Sequence, residues 1–375
     1  MKHPNIFFYC SWGGFGHVNR AYSIIKKLPN NGTYTVATPE KWPFPKKEFK
    51  NFKYIKLTEP LSRIRFKGED IIIQDYVKGA NDIKGYQNHL HEFIDSLRKI
   101  RPDVVVVDNP AELSLIGKIL GYKTVIVYES LDTNDLRWRL SWKNVDKVLV
   151  PYTKEFLKKM KFNYIDNAFC AGGFTRYDGE KDITSVTKKQ AREKLKLSQK
   201  ERYIIITMGK GRKSETIIKN LCQELSSLAY NVIIIYPQRI KEIENIVNNY
   251  LNCKIVTNVS EKIYLYLIAS NIVVTGAGYN SIMESCYFRK PTISIPLERI
   301  YNEQLTKAKK INEMGAVKAL IPDEISKIKK TINQLENLKV LKEMKKAQTK
   351  LVDGKGAQRA ADMLLKLSNK ENEKT

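Results

Sequence analysis

Short apolar runs alternate with helix-patterned segments along the whole chain. Residues 5–10 (NIFFYC) show no polar alternation, as a strand buried on both faces requires. Residues 18–28 then place Ala21, Ile24, Ile25 and Leu28 at the spacing of one helix face. The same rhythm predicts strands at 33–37, 103–107, 123–128 and 145–150, with helices at 79–100, 113–120 and 153–160, and residues 168–171 close the first half. Gly172-Gly173 reads as a hinge, and residues 178–201 as a polar linker with one short helix. Strands resume at 203–207, 231–236, 254–256, 272–274 and 292–295; beyond Pro322 the chain is helical and lysine-rich. A strand–helix rhythm repeated in two halves predicts two Rossmann-like α/β domains built on parallel sheets. The expected boundaries are 1–171 and 172–355, with 356–375 as a terminal segment holding a last helix.

Composition fits that plan and adds one feature. A chain of 375 residues, 42% hydrophobic, is long enough for two packed cores. Cys10, Cys170, Cys222, Cys253 and Cys286 are odd in number and scattered. They argue against a disulfide framework or zinc site and suit a reducing cytoplasm. The first apolar run is too short for a signal-peptide core, and no later run approaches a membrane span, so the expectation is a cytoplasmic protein. The added feature is charge: 65 Lys+Arg against 40 Asp+Glu, a formal net of +25. Such a field draws anionic lipid, nucleic acid or phosphorylated substrates. Two stretches interleave basic and aromatic residues, 41–54 (two prolines, read as a loop) and 137–143. Either suits an anionic membrane surface or stacking on single-stranded nucleic acid, and a surface loop with its rings tucked inward is the plainer reading.

Candidate chemistry lies where strands hand over to helices, because open parallel sheets bind ligands beyond the carboxyl ends of their strands. Four such places stand out. After the first strand come Gly13, Gly14, Gly16 and His17; the third glycine of a dinucleotide loop is missing, although Glu40 falls near where a ribose-binding acid belongs. Residues 103–107 close on Asp108, and the strand at 123–128 is followed by Glu129, which faces the same edge and could meet an acceptor. After residues 203–207, Gly209, Lys210, Gly211 and Arg212 put glycines and cations at a helix start, without the Walker spacing but fit to grip a pyrophosphate. After residues 272–274 stand Gly276, Gly278, Asn280 and Ser281, with Glu284 one turn into the helix, where a carboxylate suits the two hydroxyls of a ribose.

The run Gly278-Tyr279-Asn280-Ser281-Ile282-Met283-Glu284 resembles the donor-site signature of the uridine-diphosphate-dependent glycosyltransferases of the two-domain GT-B fold. That signature reads Gly-Trp-Asn-Ser-x-x-Glu, with Asp-Gln or Glu-Gln about one strand later. Tyr279 replaces the tryptophan, and Glu303-Gln304 supplies the acidic-Gln pair. Gly276 stands where the family usually has a histidine, which is similar to the bacterial transferases that add N-acetylglucosamine to a lipid-linked peptidoglycan precursor. Gly16-His17-Val18-Asn19-Arg20 is similar to the family's Gly-His-Val-Asn-Pro, with Arg20 in place of the proline. Gly-x-Gly-His-x-x-Arg also resembles GT-B proteins that hydrolyse nucleotide sugars.

The resemblance implies an inverting transferase. The first domain would take the acceptor through Gly13, Gly14, Gly16, Asn19, Arg20 and Glu129. The second would hold a UDP-sugar, as co-substrate, through Gly209, Lys210, Gly211, Arg212, Gly276, Gly278, Asn280, Ser281, Glu284, Glu303 and Gln304. His17 would be the general base, steadied by Asp108; an imidazole suits that role because it ionises near neutrality. No Asp-x-Asp motif occurs, so the expectation is no cofactor and no metal. In the GT-B fold a last helix crosses back to the first domain, a role that residues 356–367 would fill. The expected acceptor is lipid-linked, at the inner face of an anionic membrane. The alternatives are a nucleotide-sugar hydrolase, a glycosyltransferase acting on nucleic acid, and a non-catalytic nucleotide binder.

Overall fold

A computed structural model describes residues 3–12, 14–44, 50–59, 83–128, 136–160, 165–209, 213–299 and 302–369. They form two parallel α/β sheets joined end to end. The first contains β1 (Asn5–Cys10), β2 (Thr33–Thr38), β3 (Phe52–Lys56), β4 (Val104–Asp108), β5 (Lys123–Val127), β6 (Lys147–Val150) and β7 (Ala168–Cys170), in the order β3-β2-β1-β4-β5-β6-β7. The second contains β8 (Tyr203–Thr207), β9 (Asn231–Tyr236), β10 (Cys253–Thr257), β11 (Ile272–Gly276), β12 (Thr292–Ile295) and β13 (Lys318–Ala319), in the order β10-β9-β8-β11-β12-β13. Central strands are apolar throughout because helices cover both faces; Val104 to Val107 are at most 2% exposed.

Strand order fixes where the loops converge. In the first sheet the chain winds one way from β1 and returns at β4, so β1 and β4 are the switch point, with Cys10 registered beside Asp108. In the second sheet β8 and β11 play the same part, with Thr207 beside Thr275. A crevice opens at a switch point because neighbouring loops leave to opposite sides. The loops after β1, β4, β8 and β11 are those singled out by their residues.

Three local readings change. Residues 52–56 form an edge strand rather than the end of a loop: FKYIK alternates, and β3 pairs with β2. The stretch 137–143 lies in the helix Leu136–Asn144, where Trp138 and Trp142, one turn apart, are 4% and 2% exposed. Trp42 is buried as well, and Phe44 stacks on Tyr22 at 3.8 Å. The tryptophans of both basic stretches therefore face the interior, and Phe44, Phe52 and Tyr54 are half-buried against the first core. The segment read as a linker with one helix holds two, Lys181–Thr184 and Lys188–Lys194.

The two sheets are not joined by a loose hinge. Gly173 donates its N–H to Leu351 O at 2.9 Å, and a β-carbon there would sit 2.7 Å from that oxygen and from Met283 Sδ. Gly172 adopts φ +78°, a conformation that favours glycine. One apolar cluster runs from Tyr128, Trp142 and Tyr152 of the first domain into Tyr279, Ile282 and Met283 of the second. The helix Gly356–Asn369 lies against the first sheet, with Ala357, Ala360, Ala361 and Leu364 in the same core as Ile6, Phe8 and Val106.

Candidate active site

The helix Gly16–Ile25 begins six residues after β1 ends, so its first turn lies at the rim of the sheet. His17 stands in that turn with its side chain 19% exposed, and its Nδ1 lies 2.9 Å from Asp108 Oδ1. Asp108 is the last residue of β4 and is 3% exposed. Arg20, expected on the acceptor side, is turned inward instead: Nε donates to Asp108 Oδ2 at 2.8 Å and an Nη to Oδ1 at 2.6 Å. Burial alone raises the proton affinity of Asp108. The charges of Arg20 and His17, with their hydrogen bonds, outweigh burial and hold the carboxyl well below the usual range. Gly14 and Gly16 are exposed in the same loop and Asn19 is half-buried. Glu40, the candidate ribose acid, accepts the Gly14 N–H at 2.9 Å, so it braces the loop.

Across the cleft the helix Tyr279–Tyr287 points its N-terminus at this loop. Gly278 precedes it, and Asn280 Nδ2 donates to Gly16 O at 3.3 Å, so two helix starts face each other. The first N–H groups of a helix lack partners within it and carry partial positive charge, which suits an anion. Nothing among the described residues lies within 4 Å of a β-carbon built on Gly278 or Gly209, and one on Gly276 would make only ordinary contacts with Met208 and Leu297. The chain's own described packing therefore leaves open space at Gly278 and Gly209.

Glu284 is 5% exposed, and its Oε1 meets Arg176 Nε at 3.1 Å. Burial pushes its carboxyl up, and Arg176 offsets only part of that. Gln304 accepts the Leu297 N–H at 3.0 Å. Glu303 pairs with the buried ammonium of Lys307 at 2.8 Å. Gln304 thus braces the loop after β12, while Glu303 is held along its own helix. Lys210, Gly211, Arg212, Gly13 and Glu129 lie outside the described residues. Among the described residues no three His, Cys, Asp or Glu side chains cluster in a way that would hold a metal ion.

Sequence reasoning missed Arg176 and the tyrosine anchor. Tyr279 OH accepts the Phe174 N–H at 3.1 Å and donates to Phe174 O at 3.2 Å, fastening the helix Tyr279–Tyr287 to the connection between the domains. The signal available was position: residues 174–176 leave the carboxyl end of β7, on the edge where the other loops gather.

Known proteins share parts of this chain's sequence and its fold. Residues 178–364 match the glycosyltransferase family 28 C-terminal domain. A glycosyltransferase of Methanopyrus kandleri is 29% identical over 161 residues, 42% of this chain and 43% of that one. The UDP-N-acetylglucosamine–N-acetylmuramyl-(pentapeptide) pyrophosphoryl-undecaprenol N-acetylglucosamine transferase of Clostridium tetani is 25% identical over 332 residues, 84% of this chain and 85% of that enzyme. The crystal structure of MurG from Acinetobacter baumannii superposes with a TM-score of 0.61 at 16% identity, covering 97% of this chain and 100% of that one. The chain is a glycosyltransferase of the GT-B fold, and its second domain belongs to the glycosyltransferase family 28 C-terminal domains.

Proposed function

We infer that the protein moves a sugar from a uridine diphosphate sugar to a hydroxyl on a lipid-linked acceptor, with inversion and without a metal on the diphosphate. The observation that carries this is the His17–Asp108 pair facing the start of the helix Tyr279–Tyr287, with Asn280 reaching to Gly16. His17 takes the proton of the acceptor hydroxyl, whose oxygen attacks the anomeric carbon as the bond to the diphosphate breaks. Backbone N–H groups at Asn280 and Ser281 and the cationic loop after β8 receive the charge that leaves. Glu284 accepts the ribose hydroxyls, sharing its carboxylate with Arg176. The name of the Clostridium tetani relative gives its acceptor as a pyrophosphoryl-undecaprenol compound, and this supports the lipid-linked reading. The net charge of +25 supports work at an anionic membrane surface. No helix among the described residues is long and apolar enough to cross one.

Thermal unfolding with UDP, GDP, dTDP, NAD or no ligand tests the donor. UDP raises the midpoint of the wild type and does so much less in Glu284→Ala, since a ligand bound only by the folded state stabilises it in proportion to the logarithm of its saturation. Stabilisation by NAD and not UDP removes the reading. His17→Ala abolishes transfer and keeps the UDP shift; retained turnover would remove His17 as the base. Water in place of the acceptor is the second reading, favoured by Arg20 where the transferases carry proline, and sugar release without any acceptor would establish it.

A further inference from the structure

We propose that the second domain carries a further anion site, for a phosphate group, on the edge of its sheet opposite the cleft. Lys290 stands two residues before β12. Its Nζ donates to Ile268 O at 2.7 Å and to Ser270 O at 3.3 Å, at the end of the helix Ile263–Ala269. An ammonium has three N–H groups, and the third has no partner among the described residues. Arg192 reaches the same stretch from the helix Lys188–Lys194. Its Nε donates to Ala269 O at 3.1 Å and an Nη to Asn271 Oδ1 at 3.0 Å. Lys188 lies one turn before Arg192, so the two share a face. The helix Leu338–Leu351 closes in from a third direction. Gln348 Nε2 donates to Lys290 O at 2.7 Å, and Lys345 stands three residues earlier on the same face.

Cations therefore converge from three elements. The charged groups that act on Lys290 are Lys188, Arg192 and Lys345, with no described carboxylate among them, and residues 268–271 bring no titratable group. Burial first, and then these neighbours, pull the Lys290 ammonium down to about 7. Lys188 and Lys345 are exposed, and neither ammonium has a hydrogen-bond or ion-pair partner among the described residues. Like charges gathered without a counter-charge repel, and an anion between them relieves that repulsion. Three lysine ammonium groups only donate, and as point charges they suit the oxygens of a phosphate. The site is separate from the cleft and does not depend on the donor reading. Ser270 precedes β11 and Gly278 follows it, so a strand length of roughly 15 Å divides the two places.

The test is a calorimetric titration of the full chain with inorganic phosphate, with excess UDP present to occupy a donor site. Wild type binds phosphate in the millimolar range or tighter. The double variant Lys188→Gln, Lys345→Gln, changed only at exposed positions, binds about tenfold more weakly or worse, as the loss of charged donors requires. Sulfate, a dianion throughout, isolates the charge of Lys290: wild type holds it about tenfold more tightly at pH 6 than at pH 8, and Lys290→Met removes that slope. Vesicles of phosphatidylcholine with phosphatidic acid identify the source of the group. Co-sedimentation that the double variant loses assigns the site to a lipid headgroup, and phosphate binding without such a loss assigns it to free phosphate or a soluble ester. No phosphate binding by wild type, or equal affinity in the double variant, overturns the proposal. Sulfate binding that ignores pH overturns the part given to Lys290.

Discussion

At the residue scale, two donors converge on the Asp108 carboxylate, and this ties folding to pH. Its folded-state proton affinity is depressed by Arg20 and His17. The stabilisation it contributes is therefore complete above the ordinary aspartate range of about 3.9 and is lost as the pH falls toward the folded value. Asp108→Asn removes the carboxylate that the buried Arg20 guanidinium grips, and breaking a buried ion pair in this way usually costs about 3–5 kcal/mol. Urea unfolding at neutral pH shows that loss, and the wild-type decline below about pH 4 flattens in the variant. A variant as stable as wild type at neutral pH would mean that Arg20 finds another partner.

At the scale of elements, the glycine before the helix Tyr279–Tyr287 offers a way to separate stability from the proposed binding. Gly278 has an ordinary φ of −64° and open space where a side chain would go, so Gly278→Ala leaves thermal stability within about 0.5 kcal/mol of wild type. On the proposed donor reading the same methyl group stands where the diphosphate approaches the helix start, so the shift given by UDP falls steeply; an undiminished shift would place the phosphates elsewhere. This helix was legible in the sequence because strand, glycine turn and polar N-terminus occur in a fixed order of residues. Asp108 was legible at the carboxyl end of an apolar run, and His17 in the glycine turn and helix start that follow another. The inward turn of Arg20 was not, because an arginine beside a glycine loop reads equally well as a phosphate or acceptor contact; only the register of β1 against β4 brings Asp108 beneath it. Arg176 meets Glu284 from the segment after β7, far away in sequence, and no local pattern records such a pairing. The tryptophans of the helix Leu136–Asn144 misled for the opposite reason: basic neighbours suggested a surface, while their spacing of four already placed both rings on one inward face.

At the scale of the molecule, the halves are bound by a shared apolar cluster and by the returning helix Gly356–Asn369. A continuous core predicts that the two sheets unfold in one transition, seen as coincident curves from tryptophan fluorescence and circular dichroism; two separated transitions would mean that the shared cluster contributes little. Leu364 is fully buried against the first sheet, so Leu364→Ala costs about 2–5 kcal/mol and lowers that single midpoint. The return of the last helix also sets an order of assembly. A ribosome delivers the first sheet before the second, yet side chains that complete the core of the first sheet follow the whole second sheet in the chain. Domains usually finish folding in the order of their synthesis. Here the second domain can close while the nascent first domain still waits for its cover, and a transcript cut short before residue 356 would leave exposed apolar surface for chaperones and proteases to find.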